Sequence, residues 1–140
     1  MDSLNPFAKQ VWSVLVAEYP EWTEYSTASE EGDLEVAVPA PSGSNAGHLV
    51  VFTVKGRNLW LRFSPPNMCY PADDEMEMLK IVRLLQMEEI LFAVTLQGDE
   101  WAGTTILKKG ELPQLEPDQI AHLVSWSGKH DRVVSAKDLS

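Results

Sequence analysis

The stretch HLVVFTVKGRNLWLRFS, residues 48–64, decides how the rest of this chain is read. Gly56 and Arg57 read as the two central residues of a Gly-X turn, which sets Lys55 opposite Asn58. The pairs Val54–Leu59, Phe52–Leu61 and Val50–Phe63 follow, six apolar residues on one face. Thr53–Trp60, Val51–Arg62 and Leu49–Ser64 take the other face. A half-polar pattern of this kind belongs to an antiparallel sheet covered mainly on one side.

On the N-terminal side, Asn5-Pro6 opens a helix, with Asn as N-cap and Pro at the first helical position. Phe7, Val11, Leu15 and Tyr19, with Trp12, form its apolar stripe, and Pro20 ends it. Glu18, Glu21, Glu24, Glu30, Glu31, Asp33 and Glu35 follow without a Lys or Arg among them. Such a run is a solvated face or a docking surface. Leu34, Val36 and Val38 alternate with Glu35 and Ala37 as a strand that Pro39 and Pro41 stop, and residues 41–47 form a flexible connection.

On the C-terminal side, Pro65-Pro66 breaks the strand, and Asn67-Met68-Cys69-Tyr70-Pro71 reads as a loop. A second helix spans residues 73–87, begun by Asp73 and Asp74. Met78, Leu79, Ile81, Val82 and Leu85 form its apolar face, suited to cover the hairpin. Ile90, Phe92, Val94 and Leu96 alternate as a strand, Gly98-Asp99 turns it, and residues 101–107 return. Residues 112–117 read as a loop, Pro117 opens a short helix over residues 118–123, and the polar terminus is expected to fray. The fold class is therefore α+β: an antiparallel sheet of about five to six strands, with an N-terminal and a central helix packed on one face, in one domain over residues 1–140.

With 140 residues, 44% of them hydrophobic, the chain is long enough to bury a core. The single Cys69 permits no internal disulfide, and the first ten residues lack the basic and apolar regions of a signal peptide, so a cytoplasmic location is expected. No apolar run approaches the roughly 20 residues that span a bilayer. The net charge of −10 disfavours nucleic acid as a ligand and suits a basic partner.

Catalytic chemistry finds little footing. His48, His122 and His130 lack Cys or acids at metal-ligand spacing, and no H-E-x-x-H, Walker A or G-x-G-x-x-G occurs. Ser44 lies in GSNAG, without the spacing of a nucleophile elbow, and Cys69 beside Met68 and Tyr70 reads as a packing residue. Asp73, Asp74, Glu75 and Glu77 have the composition of a cation site, but a helix start selects the same acids. No enzyme, metal or cofactor is expected.

The strand LEVAVPAPS (residues 34–42), the strand LWLRF, the acid-led helix ending MEEI, the hairpin after it and SWSGKHDR (residues 125–132) together resemble bacterial immunity proteins of polymorphic-toxin and contact-dependent growth inhibition systems. The similarity spans most of the chain. Those proteins carry a loop with an H-x-H-F-like segment before the second helix and a closing SW-x-G-x-x-D motif. The closing motif is present as Ser125, Trp126, Gly128 and Asp131. The loop reads Asn67-Met68-Cys69-Tyr70 instead, so no role of those histidines carries over. The resemblance implies a cytosolic protein, monomeric or homodimeric, that binds and neutralises one cognate toxin domain, often a nuclease. A small, acidic type III secretion chaperone with a similar element order is the alternative.

For a toxin with a basic active site, the expected contact surface is Glu21, Glu24, Glu30, Glu31 and Asp33 with the interleaved Trp22 and Tyr25, extended by Asp73, Asp74, Glu75 and Glu77. Trp126 is expected to be structural, anchoring a strand end, with Asp131 and Arg132 fixing the turn beside it.

Overall fold

The computed structural model describes residues 3–64 and 68–139, so the expected strand break at Pro65-Pro66 and Asn67 lies outside the described residues. The class is α+β, with an N-terminal helix, a central helix and two antiparallel sheets of five and four strands. The chain forms two compact units, Met1–Pro39 with His48–Val82 and Ala40–Gly47 with Arg83–Ser140.

The first unit opens with α1 (Pro6–Glu18), capped as expected: the Asn5 side chain accepts the Ala8 amide at 2.8 Å. Val11 and Leu15 are fully buried, and Ala8 is buried more deeply than Phe7. A 3-10 helix (Pro20–Tyr25) leads into β1 (Ser26–Ala28), β2 (Leu34–Pro39), β3 (His48–Val54), β4 (Asn58–Phe63) and β5 (Met68–Ala72), which pair in chain order, and α1 lies against β2. β5 corrects the loop expected there. It pairs with β4 despite Pro71, because a sheet edge leaves the missing N–H without consequence.

The central hairpin has a different register from the one its sequence suggests. Lys55 and Gly56 stand at φ 56° and 65°, and the Arg57 amide donates to the Val54 carbonyl at 3.2 Å. Positive φ at both central residues marks a type I′ turn over Lys55-Gly56. Arg57 is then an extra residue before β4, so Val54 pairs with Asn58 and each later pair moves by one. Phe52 and Leu61, expected side by side, lie on opposite faces, Phe52 paired with Trp60 and Leu61 with Val51. The buried face is Leu49, Val51, Thr53, Leu59, Leu61 and Phe63, all at 4% exposure or less.

Polar satisfaction explains the choice. Thr53, which patterning sends outward, is buried because its hydroxyl donates to Asp33 Oδ1 (3.1 Å) and accepts the Leu34 amide (2.9 Å). With that hydroxyl satisfied, the face holds five large apolar side chains, each contributing about 1.5–3 kcal/mol on burial; Leu59, Leu61 and Phe63 lie on it in either register, and the shift adds Leu49 and Val51.

α2 (Glu75–Gln86) begins in the first unit and ends in the second, and Met78, Leu79, Ile81, Val82 and Leu85 are buried as its stripe predicts. The second unit's sheet holds β6 (Ile90–Gln97), β7 (Glu100–Lys108), β8 (Gln119–Val124) and β9 (Arg132–Ser135) in the order β7-β6-β8-β9. The β6–β7 hairpin turns at Gly98-Asp99, as expected. Its core joins Ala93, Leu107, Ala121, Leu123 and Val134, with Leu115 and Leu139 against them.

One expectation fails in this unit. The short helix over residues 118–123 is β8, because Ala121 and Leu123 are buried at a strand's period of two while His122 is exposed. Toward the C-terminus, β9 buries Val134 and runs into a 3-10 turn (Ala136–Leu139), whose Asp138 carboxylate accepts the Ser135 amide at 2.7 Å.

Candidate functional site

The acidic segment between α1 and β2 is more ordered than its composition suggests. Trp22 is 4% exposed and stacks on Tyr19, ring centroids 4.2 Å apart. The Ser26 hydroxyl donates to the Trp22 carbonyl and accepts the Trp12 indole N–H at 3.1 Å. Trp22 is therefore the segment's internal anchor, a correction to the exposed contact expected of it.

Around that anchor Glu21, Glu24, Glu30 and Glu31 are exposed, and no Lys or Arg ion pair to them occurs among the described residues. Tyr25 is half-buried, and its phenol pKa is raised above the usual value, first by a hydrogen bond to Glu24 and then by the charge of that carboxylate.

Asp33 belongs to the frame. Its carboxylate accepts the Lys55 and Gly56 amides at 2.9 Å each, the Thr53 hydroxyl, and the Asn5 side-chain amide at 3.1 Å. Burial opposes its ionisation, but the bonds from Gly56, Asn5, Thr53 and Lys55 outweigh that and hold its pKa below the usual carboxylate value. Gly32 beside it, at φ 85°, leaves room for the Asn5 backbone: a Cβ there would stand 2.8 Å from the Asn5 nitrogen. With its oxygens engaged internally, Asp33 holds the frame together, while its partly buried side chain also borders a groove on this unit.

That groove, of about 420 Å³, is lined in part by Thr27, Ser29, Asp33, Glu35, Phe52 and Arg62. Arg62 lies 3.8 Å from Glu35 and 5.5 Å from the Phe52 ring centroid. At the start of α2, Asp74 accepts the Glu77 amide at 2.8 Å as an N-cap, Asp73 is exposed, and Glu75 and Glu77 are partly exposed.

In the second unit the closing motif is a clasped loop. Asp131 Oδ1 accepts the Ser125 amide (2.7 Å) and hydroxyl (3.2 Å), and Oδ2 accepts the Asn45 amide (3.3 Å). Ser44 donates to the Ser125 carbonyl, and Gly128, at φ 85°, lets the Ser44 Cα come within 3.0 Å of where a Cβ would stand. Trp126 is 8% exposed beside the end of β8, in agreement with a structural anchor.

Glu88 holds the same loop from the end of α2. It sits at φ 58°, and the bonds Glu89 N–H to Leu84 O and Glu88 N–H to Leu85 O form a Schellman motif in which Gly is the usual residue. Its carboxylate accepts both the amide and the hydroxyl of Ser127, and His130 Nε2 is 3.8 Å away. Burial raises its pKa, yet the Ser127 bonds and the charges of His130 and Lys129 prevail and lower it. Beside it lies a cavity of about 360 Å³ lined by Leu91, Lys109, Lys129, His130 and Arg132.

Sequence reading passed over Glu88, the second role of Asn5 and the frame role of Asp33. Only Gly32-Asp33 ahead of a strand gave a local signal. Among the described residues, no three His, Cys, Asp or Glu side chains converge as metal ligands do, and no helix is long and apolar enough to cross a membrane. Compared with protein-family models, curated proteins and solved structures, the chain gives no match.

Proposed function

We propose that this chain is an immunity-type inhibitor that binds and neutralises a cognate toxin domain with a basic surface. The observation that carries the reading is the placement of Glu21, Glu24, Glu30 and Glu31: all are exposed and, among the described residues, without a Lys or Arg ion pair, Glu21 and Glu24 flanking the buried Trp22 and Glu30 and Glu31 lying in the β1–β2 turn. A set of exposed carboxylates on a chain of net charge −10 attracts a basic partner over long range. Asp73, Asp74, Glu75 and Glu77 at the start of α2 are a second acidic stretch and the proposed extension of the contact surface. The resemblance of SWSGKHDR and the neighbouring segments to bacterial immunity proteins supports the same reading.

The test is co-expression with the C-terminal domain encoded by the adjacent upstream gene, followed by association kinetics of the purified pair. Growth rescue by the wild type, and association that slows with added salt, is the expected result. A target domain that is itself acidic, or association unaffected by salt, would remove the proposal. A second reading, a chaperone-like binder of a secreted effector, is favoured by the 58% exposure of Trp101 on β7. It requires binding of an unfolded client, whereas the inhibitor binds a folded domain.

A further inference from the structure

The chain holds 11 Lys and Arg against 21 Asp and Glu, yet Lys109, Lys129 and Arg132 all line one cavity of the second unit, the space of about 360 Å³ beside Glu88. Each comes from a different element, and strand pairing sets where two of them stand. Leu123 pairs with Arg132 of β9 and with Ala93 of β6, so Arg132 shares a sheet face with Leu123 and with Leu91, two residues before Ala93. Leu107 pairs with Leu91 on that face. Lys109 follows Leu107 by two residues, its amide donating to the Glu89 carbonyl at 2.9 Å as the next bond of the ladder. Lys129 comes from the loop that Asp131 and Glu88 clasp, and its own amide donates to Ser127 Oγ at 3.1 Å. Leu91 and Leu123 thus supply an apolar floor, with three cationic side chains around it.

None of the three is neutralised by a direct partner. Lys109, Lys129 and Arg132 are exposed and form no ion pair among the described residues. The acids nearby are bonded elsewhere. Glu88 accepts from Ser127 and faces His130, Asp131 accepts from Ser125 and Asn45, and Glu111 accepts the Lys108 amide at 2.9 Å. Asp138, which the Arg132 charge reaches, accepts the Ser135 amide and hydroxyl. These carboxylates temper the local potential, but they leave the N–H donors of the cations unoccupied.

We propose that this cavity binds a phosphomonoester, its phosphate held by Arg132, Lys109 and Lys129 and its organic part resting on Leu91 and Leu123. A guanidinium offers two parallel N–H donors to an oxyanion, and the ammonium groups add point charges. Three such groups suit a dianion with three terminal oxygens better than a carboxylate with one charge and two oxygens. The volume falls within the range of about 300–1,000 Å³ typical of small-molecule sites, more than a bare phosphate fills. The clasp fixes the backbone of Lys129 before a ligand arrives, which lowers the ordering cost of binding. The site lies in the second unit alone and does not depend on the acidic segment of the first or on the inhibitor reading.

Isothermal titration calorimetry of the full chain at neutral pH and low salt tests this, with phenyl phosphate, inorganic phosphate and benzoate as probes. Phenyl phosphate is expected to bind most tightly, with inorganic phosphate roughly tenfold weaker for want of the floor contact and benzoate weaker still. Arg132→Gln, Lys109→Gln and Lys129→Gln alter exposed side chains, so each should leave the melting temperature unchanged and weaken phenyl phosphate roughly tenfold. Lys9→Gln, exposed on α1, should leave the affinity unchanged, because a chain of net charge −10 repels anions except where cations are gathered. Absence of phenyl phosphate binding at millimolar concentration overturns the proposal. So does affinity indifferent to the three cavity substitutions, or an equal loss with Lys9→Gln. Benzoate binding as tightly as phenyl phosphate would overturn the assignment of a phosphate, and inorganic phosphate binding as tightly would overturn that of an organic ester.

Discussion

The two units each close a loop with a carboxylate, and they differ in what that closure leaves open. In the first, Asp33 gathers the β3–β4 turn, Thr53 and Asn5, and the sheet it locks ends in a three-residue strand on one side and a proline-bearing strand on the other. In the second, Asp131 and Glu88 gather the loop after β8, while Lys129 of that loop lines a cavity with Lys109 and Arg132. The lesson is that internal polar satisfaction and surface availability are separate properties. The first unit is closed at its edges and offers acids, whereas the second is clasped at one loop and offers cations.

The comparison breaks most severely at Trp126. Removing its buried indole should cost roughly 3–5 kcal/mol, read as a lower melting temperature. Melting that is unchanged, together with lost partner binding, would move Trp126 from the frame to the contact surface. Asp33→Ala strips four donors of their acceptor and should cost about 2–4 kcal/mol in denaturant unfolding. This contribution depends on pH in a defined direction. Because folding lowers the Asp33 pKa, its stabilisation is present above the unfolded carboxyl value near ~4 and is lost as pH falls through the folded value. The stability gap between wild type and Asp33→Ala should therefore narrow on acidification below about pH 4.

Glu88→Gly sharpens the contrast, because it relieves left-handed backbone strain of about 1 kcal/mol while deleting the charge-assisted bonds to Ser127. Glu88→Ala keeps the strain and loses the same bonds. Both should unfold more readily than the wild type, with Ala the worse by about 1 kcal/mol in the same denaturant experiment. The smallest effect on stability is expected at the exposed acids. Glu24→Lys, Glu30→Lys and Glu31→Lys together should change stability by about 0.5 kcal/mol or less, while slowing association with a basic partner and flattening its salt dependence. Rates unchanged at low salt would exclude this face as the docking surface.

Much of the fold was legible where a local rule and the burial pattern agree. Asn5-Pro6 opens α1, the stripe from Met78 to Leu85 is α2's buried face, and Gly98-Asp99 is a turn. Reading failed where a distant partner overrides the local rule. Gly56-Arg57 is a sound turn in isolation. The carboxylate of Asp33, more than twenty residues earlier, instead takes the amides of Lys55 and Gly56 and moves the turn by one residue, changing every cross-strand partner and turning the β3 residues to the opposite face while Leu59, Leu61 and Phe63 stay buried. The candidate site follows the same division. Exposure of Glu21, Glu24, Glu30 and Glu31 fits their composition, but Trp22 and Asp33 are acidic-segment residues only by sequence, since tertiary partners draw both into the frame. Pro117 likewise predicted a helix that the two-residue alternation of Ala121 and Leu123 overrules.

Asn5 caps α1 with its side-chain oxygen and donates to Asp33 with its side-chain nitrogen, while its backbone amide donates to the Gly32 carbonyl at 2.8 Å. One residue thus ties together the helix start, the entry to β2 and the β3–β4 turn, which lie far apart along the chain. Opening any one of these removes a partner from the other two. The amides of Ala8, Lys55 and Gly56 should therefore exchange with solvent deuterium as a single cooperative unit, at a shared opening free energy, instead of fraying independently as a helix end and a hairpin tip otherwise do.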